Sequence, residues 1–133
     1  MYSQKRQRGN VGEEFAVKLL WGSGYHVLRR NYLKKCGEID IIAEKDGVLH
    51  FIEIKSSFVS CETSAKEDLA LSSKQNYRPE ENVSIFKLAK LHKTIEIFQN
   101  EFNCRDQEFC IDVLVLIICD NELVGHRWIY NVI

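Results

Sequence analysis

The dipeptide Asp46-Gly47 constrains the fold of this chain more than any other feature. It stands between two strand-like runs, residues 37–44 and 48–55, and Asp-Gly between such runs is the composition of a two-residue hairpin turn. With that turn Lys45 faces Val48. Counting back along both strands then sets Ile41 opposite Ile52 and Ile39 opposite Ile54. The same register puts Asp40 opposite Glu53 and Glu38 opposite Lys55. Because side chains alternate across a strand, the isoleucines gather on one face for a core and the four ionisable groups gather on the other.

Around this hairpin the rest of the chain supplies helices and further strands. Asn10 is a candidate cap for a helix over about 11–22, where Val11, Phe15 and Leu19 recur every four residues and Gly22-Ser23-Gly24 ends the pattern. Residues 25–32 alternate loosely and read as a strand. Residues 56–82 are polar and without clear period, a long loop with a candidate helical turn near 65–71. A second helix over about 84–102 carries Leu88, Leu91, Ile95, Phe98 and Phe102 on one stripe. Residues 109–119 form a nearly continuous apolar run, as a strand covered on both faces requires, and a last strand spans about 123–130. The order α-β-β-β-α-β-β predicts an α/β fold around a mixed sheet. With no linker or repeat in 133 residues, one domain over 1–133 is expected.

Hydrophobic residues make up 45% of the chain, enough for a packed core, which excludes disorder as the default. The basic start of the chain has no apolar signal region after it, and no stretch suits a membrane span, so a cytoplasmic location is expected. Five cysteines without a C-x-x-C pair fit neither a disulfide framework nor a zinc site and are expected to be reduced thiols. His26, His50, His92 and His126 show no metal-ligand spacing and read as packing or surface residues. Trp21 and Trp128 read as core edges.

Two carboxylates opposed across a hairpin sit with Cβ atoms ~5 Å apart, so they either share a proton or hold a cation. A few oxygen ligands completed by water and phosphate suit Mg²⁺. Lys55, two residues beyond Glu53 on the same face, could then stabilise charge developing on a phosphate or polarise an attacking water. The plainer alternative is an acidic, solvent-facing hairpin with Glu38 and Lys55 as an ordinary cross-strand pair. The formal net charge of −1 argues against a general basic adhesive for nucleic acid. Lys5, Arg6 and Arg8, and then Arg29, Arg30, Lys34 and Lys35, nevertheless form local clusters that could face phosphates or simply solvent.

The stretches Gly9-Asn10-Val11-Gly12-Glu13-Glu14-Phe15-Ala16, Arg30-Asn31-Tyr32, Gly37-Glu38-Ile39-Asp40-Ile41-Ile42-Ala43 and Phe51-Ile52-Glu53-Ile54-Lys55 resemble the successive motifs of the YraN-like family. These small bacterial proteins are assigned to the restriction-endonuclease-like fold of the PD-(D/E)xK superfamily and are similar to Holliday-junction resolvases. The likeness covers about residues 9–118. It implies an αβββαβ core, a central mixed sheet flanked by helices, and a DNA endonuclease that hydrolyses phosphodiester bonds with Mg²⁺ or Mn²⁺, including in branched or structured DNA. It also implies Asp40 and Glu53 as metal ligands, Lys55 as the catalytic lysine and a first-helix glutamate as a further ligand.

At ~100° per residue Glu13 falls beside Leu20 at the edge of the apolar stripe and Glu14 points away, which selects Glu13. Its other reading is a favourable charge in a first helical turn. Lys87 sits at the edge of the second stripe, where it could face the site, a phosphate or solvent, while Lys90 and Lys93 point outward. Arg8, Arg29, Arg30 and Lys87 make up the candidate nucleic-acid-binding set. Ser57, and Cys110-Ile111 before Asp112-Val113, stand where the family often has arginines. Their loss weakens contact with a DNA backbone more than it weakens a metal site. A catalytically silent nuclease fold that binds nucleic acid or a protein partner is therefore the second expectation, and a soluble interaction domain the third. Oligomeric state stays open, a homodimer among the options.

Overall fold

A computed structural model describes residues 4–60 and 85–132. Helix α1 (Gln4–Gly22) leads into β1 (His26–Lys34), β2 (Gly37–Lys45) and β3 (Val48–Phe58), and helix α2 (Ile85–Glu101) precedes β4 (Phe109–Cys119) and β5 (Glu122–Ile129). The sheet order is β1-β2-β3-β4-β5, with β3 and β4 parallel and every other neighbour antiparallel. This mixed sheet with its two helices is an α/β architecture consistent with a restriction-endonuclease-like core. Asp46 (φ 51°) and Gly47 (φ 79°) both take the left-handed conformation that a type I′ turn requires, and Asp120 (φ 49°) and Asn121 (φ 61°) repeat the device between β4 and β5.

Some boundaries differ from the sequence expectation. Asn10 lies inside α1 instead of capping it, because the preceding Lys5-Arg6-Gln7-Arg8 are good helix formers and extend the helix backwards. The buried face of α1 is Ala16, Val17 and Leu20, with Val11, Phe15 and Leu19 flanking it. Trp21 is 65% exposed and is not a core edge, whereas Trp128 packs against the core. β3 continues to Phe58, into the segment read as loop, because its parallel ladder with β4 runs on to Phe58↔Ile118. The remainder of that segment, with the candidate turn at 65–71, lies outside the described residues. Cys36, Cys104 and Cys110 are free thiols as expected, but Cys119 takes part in a disulfide. Among the described residues no helix is long and apolar enough to cross a membrane.

The sheet carries a core layer on each face. Ile41, Ala43, Ile52, Leu114, Leu116 and Ile118 pack with α1, while Ile42, Leu49, Phe51 and Ile111 pack with Ile95 and Phe98 of α2. Ile39 was expected to share a face with Ile41, Ile52 and Ile54, yet it lies in the α2 layer. The cause sits in β1. Asn31 has φ 52° and lies between the pairs Arg30↔Ile41 and Tyr32↔Ile39. On passing through it β1 exchanges faces, so that Arg30 reaches α1 whereas Tyr32 packs under α2. β2 exchanges faces at Asp40, the residue opposite Asn31, and carries Ile39 with it.

Candidate functional site

The β2–β3 ladder runs in the expected register from Lys45↔Val48 to Ile41↔Ile52. Beyond that pair β2 stays with β1 and β3 stays with β4, so the expected ladder pairs Asp40↔Glu53 and Glu38↔Lys55 do not form. The Asp40 carboxylate crosses the gap instead and accepts the Ile54 backbone N–H at 2.9 Å. Asp40 and Glu53 both line a recess of about 230 Å³ at this point, together with Glu38 and, from α2, Lys90 and Leu91. Gly37 is what lets α2 come close enough to roof the recess. A Cβ there would sit 3.0 Å from Thr94 Oγ1, and Thr94 in turn donates to the Lys90 carbonyl at 2.8 Å.

Burial holds Asp40 above the ordinary carboxylate range. The Ile54 N–H opposes that shift, and the charges of Glu53, Glu38 and Glu13 add to it. Three neighbouring carboxylates thus bear on Asp40, which is the field a cation would neutralise. Lys55 Nζ lies 3.2 Å from Glu53 Oε1. The sequence placed Lys55 on the same face as Glu53, and the two are in contact.

Glu13 is buried on α1 and approaches from the other face of the sheet. Its Oε1 accepts Arg30 Nε–H at 2.8 Å and Asn31 Nδ2–H at 2.9 Å. Glu14 is exposed and accepts from Arg30 Nη2, and that guanidinium lowers the Glu14 carboxyl below its usual range. Glu13 is held near the strands because α1 lies tightly on β3. A Cβ on Gly12 would meet Ser56 Oγ at 2.1 Å. Glu13 does not line the recess, and Asp40, Glu53 and Glu13 do not converge to ligand-to-ligand distance.

The candidate nucleic-acid residues are dispersed. Arg29 lies over the Phe102 ring at 4.5 Å on the α2 side, whereas Arg30 is committed to the α1 glutamates. Arg8 is on α1 and Lys87 on α2, with side chains outside the described residues. Lys90 was expected to face only solvent. It is exposed, but it also borders the recess.

A second cluster escaped sequence reading. His50, Cys110 and Asp112 are brought together by the parallel pairing of β3 with β4, with donor atoms all within 4.8 Å of one another. Burial first, and then the Asp112 carboxylate, pushes the Cys110 thiol up to about 12. Such a thiol is not a ready nucleophile at neutral pH. The only hint in the sequence is the Cys110/Asp112 spacing on one strand face.

Against known proteins, the model of the uncharacterised protein family UPF0102 matches residues 12–116. A UPF0102 protein of Campylobacter jejuni subsp. doylei is 37% identical over 118 residues, covering 85% of this chain and 90% of the relative. One from Helicobacter pylori (strain HPAG1) is 35% identical over 114 residues, covering 86% and 84%. One from Sulfurihydrogenibium sp. is 38% identical over 113 residues, covering 84% and 85%.

Proposed function

The chain belongs to the uncharacterised protein family UPF0102, the YraN family, and from that premise we propose that it is a divalent-metal-dependent DNA endonuclease acting in the cytoplasm. The observation that carries this reading is the shared recess of Asp40 and Glu53 at the point where β2 and β3 separate, with Lys55 in contact with Glu53.

The donor set fits Mg²⁺ or Mn²⁺. It is all oxygen, and one or two carboxylates completed by waters and substrate phosphate are what Mg²⁺ takes. Asp40 and Glu53 would hold the ion. Glu13 has both observed bonds on Oε1, and because it does not line the recess its part there would be through water. A bound ion supplies Lewis-acid polarisation of the phosphate and activation of water. The chain's own residues supply the remainder. The Ile54 N–H fixes the Asp40 carboxylate toward the recess. Lys55 offers a fixed positive charge beside the site for the extra negative charge that a phosphate gains on attack. Lys90 at the rim can meet a neighbouring phosphate oxygen.

A silent nuclease fold that binds DNA without cutting it is the competing reading. It is favoured by the commitment of Arg30 to Glu13 and Glu14 and by Ser57 and Cys110-Ile111 where the family often has arginines. The deciding experiment incubates the pure protein with Mg²⁺ or Mn²⁺ and end-labelled linear, flapped and four-way DNAs. Metal-dependent scission of at least one substrate, lost in Asp40→Asn, is expected. DNA retention without scission of any substrate favours the silent fold, and neither retention nor scission removes DNA from the account.

A further inference from the structure

His50 and Cys110 are directly opposed in the parallel β3–β4 ladder, and Asp112 lies opposite Ile52. Strand alternation sends all three side chains toward the α1 face, the face of Ile52 and Leu114. The Asp40/Glu53 recess opens beneath α2. The cluster is therefore on the other side of the sheet and nearer the Asp46-Gly47 turn.

Its geometry is tight. His50 Nδ1–H donates to Asp112 Oδ2 at 2.6 Å, Cys110 Sγ lies 3.0 Å from His50 Nδ1, and Cys110 Sγ lies 3.7 Å from Asp112 Oδ2. Asp112 is fully buried, and its other oxygen accepts the Asn131 backbone N–H at 2.8 Å. One carboxylate oxygen is thus anchored by the backbone while its partner is aimed at the imidazole and the thiol. Tyr25 closes over the cluster, its ring edge-on to His50 at 5.0 Å and stacked on Trp128.

We propose that His50 Nδ1, Cys110 Sγ and Asp112 Oδ2 bind a borderline-soft dication of the Zn²⁺ class, at a site independent of the one assigned to DNA cleavage. Tetrahedral zinc with bonds of roughly 2.0–2.3 Å separates its donors by roughly 3.2–3.8 Å. The Cys110–Asp112 edge of 3.7 Å already has that size, and the His50–Asp112 edge of 2.6 Å and the Cys110–His50 edge of 3.0 Å reach it by widening. A thiolate and an imidazole disfavour Mg²⁺ and Ca²⁺, which demand oxygen, and favour zinc or cobalt. The Asn131 N–H is the outer contact that orients the carboxylate, as second contacts do around metal ligands. On binding, the Cys110 thiol proton leaves to solvent and the neutral His50 ring carries its proton on Nε2 in place of Nδ1, no electron is transferred, and the fourth position is left for water. The ion would tie β3 to β4 across the ladder that also carries Glu53 and Lys55.

The test titrates metal-free protein with Zn²⁺, and separately with Co²⁺ as a spectroscopic probe. One Zn²⁺ per chain is expected, with a thiolate-to-cobalt charge-transfer band and the visible absorption of tetrahedral cobalt. Cys110→Ser should abolish the charge-transfer band, and both Cys110→Ser and His50→Gln should weaken Zn²⁺ binding at least about ten-fold. Asp40→Asn should leave all of this unchanged, which separates failure here from failure of the nuclease reading. A measurement on the parent protein avoids dependence on the folding of variants. Zn²⁺ should slow alkylation of Cys110, resolved by peptide mass, without slowing that of Cys36 or Cys104. Absence of stoichiometric Zn²⁺ binding, undiminished binding in both variants, or equal Cys110 alkylation with and without Zn²⁺ would overturn the proposal.

Discussion

Asp40 Oδ2 accepts the Ile54 backbone N–H at 2.9 Å, so a side chain of β2 occupies the place where the next ladder bond between β2 and β3 would fall. The strands remain tied at the point where they diverge, and the carboxylate is held at the mouth of the gap. A half-buried group that would have to be negative to take a cation is thereby kept in position by a neutral donor.

This arrangement has a pH signature. Burial and three neighbouring carboxylates raise Asp40 above its ordinary value of 3.8, so the folded chain holds this proton more tightly than the unfolded chain does. The stability from the protonated group is present at low pH and lost as pH rises through the folded value. Without metal, Asp40→Asn should therefore raise the melting temperature at neutral pH, since the amide oxygen can still accept from Ile54. The gain should shrink as pH falls toward the ordinary carboxylate value. A gain that stays constant over that window would mean that Asp40 is not the strained charge.

The hairpin turn and its register from Lys45↔Val48 to Ile41↔Ile52 were legible because every determinant is local: a turn dipeptide with two left-handed residues and alternation on either side. The continuous run of β4 was legible because a strand with both faces covered has few other compositions. The face exchange at Asn31 and Asp40 was not, since counting along a strand assumes unbroken alternation and one positive φ reverses it. That Glu13 lies against the core side of α1 and Glu14 in solvent was legible because helical spacing is also local. Its partners Arg30 and Asn31 depend on how α1 crosses β1 and were not legible. The His50, Cys110 and Asp112 cluster is a product of parallel pairing between distant segments, which no local pattern encodes.

Asn31 gives the second prediction. Its φ of 52° is readily tolerated by Asn and Gly and strained for a β-branched residue, which costs about 1–3 kcal/mol. Asn31→Gly and Asn31→Val both lose the hydrogen bond to Glu13, so their difference isolates the backbone. Urea denaturation should find the valine variant less stable than the glycine variant by about that amount. Equal stability would show that the face exchange does not depend on this residue.

Metal binding gives the third. Ions that bind the folded chain alone stabilise it by roughly 2.7 kcal/mol at a hundred-fold excess over Kd, a shift of several degrees for a domain of this size. Mg²⁺ or Mn²⁺ should produce such a shift in the parent, and both Asp40→Ala and Glu53→Ala should abolish it. The Asp40→Ala baseline will also fall, because the Ile54 N–H loses its acceptor, so each comparison is made within one variant with and without metal. Undiminished shifts in both variants would remove the metal from this recess.

Lys55 gives the last prediction and separates an enzyme from a silent fold. Its ammonium lies 3.2 Å from Glu53 Oε1 and is a donor only, so while protonated it cannot ligate a metal. Beside the recess it repels a cation and competes with it for Glu53. Lys55→Ala should accordingly bind Mg²⁺ at least as tightly as the parent, read by the same melting shift. Its proposed contribution arises only as phosphate charge builds up in the transition state, where one positioned charge is worth several kcal/mol, so scission should slow by ~10²-fold or more. A purely structural role predicts the reverse pattern, in which lost stability and lost metal binding accompany each other. Cleavage by Lys55→Ala at the parent rate, on any DNA that the parent cuts, would reduce the Glu53–Lys55 contact to an ordinary surface ion pair.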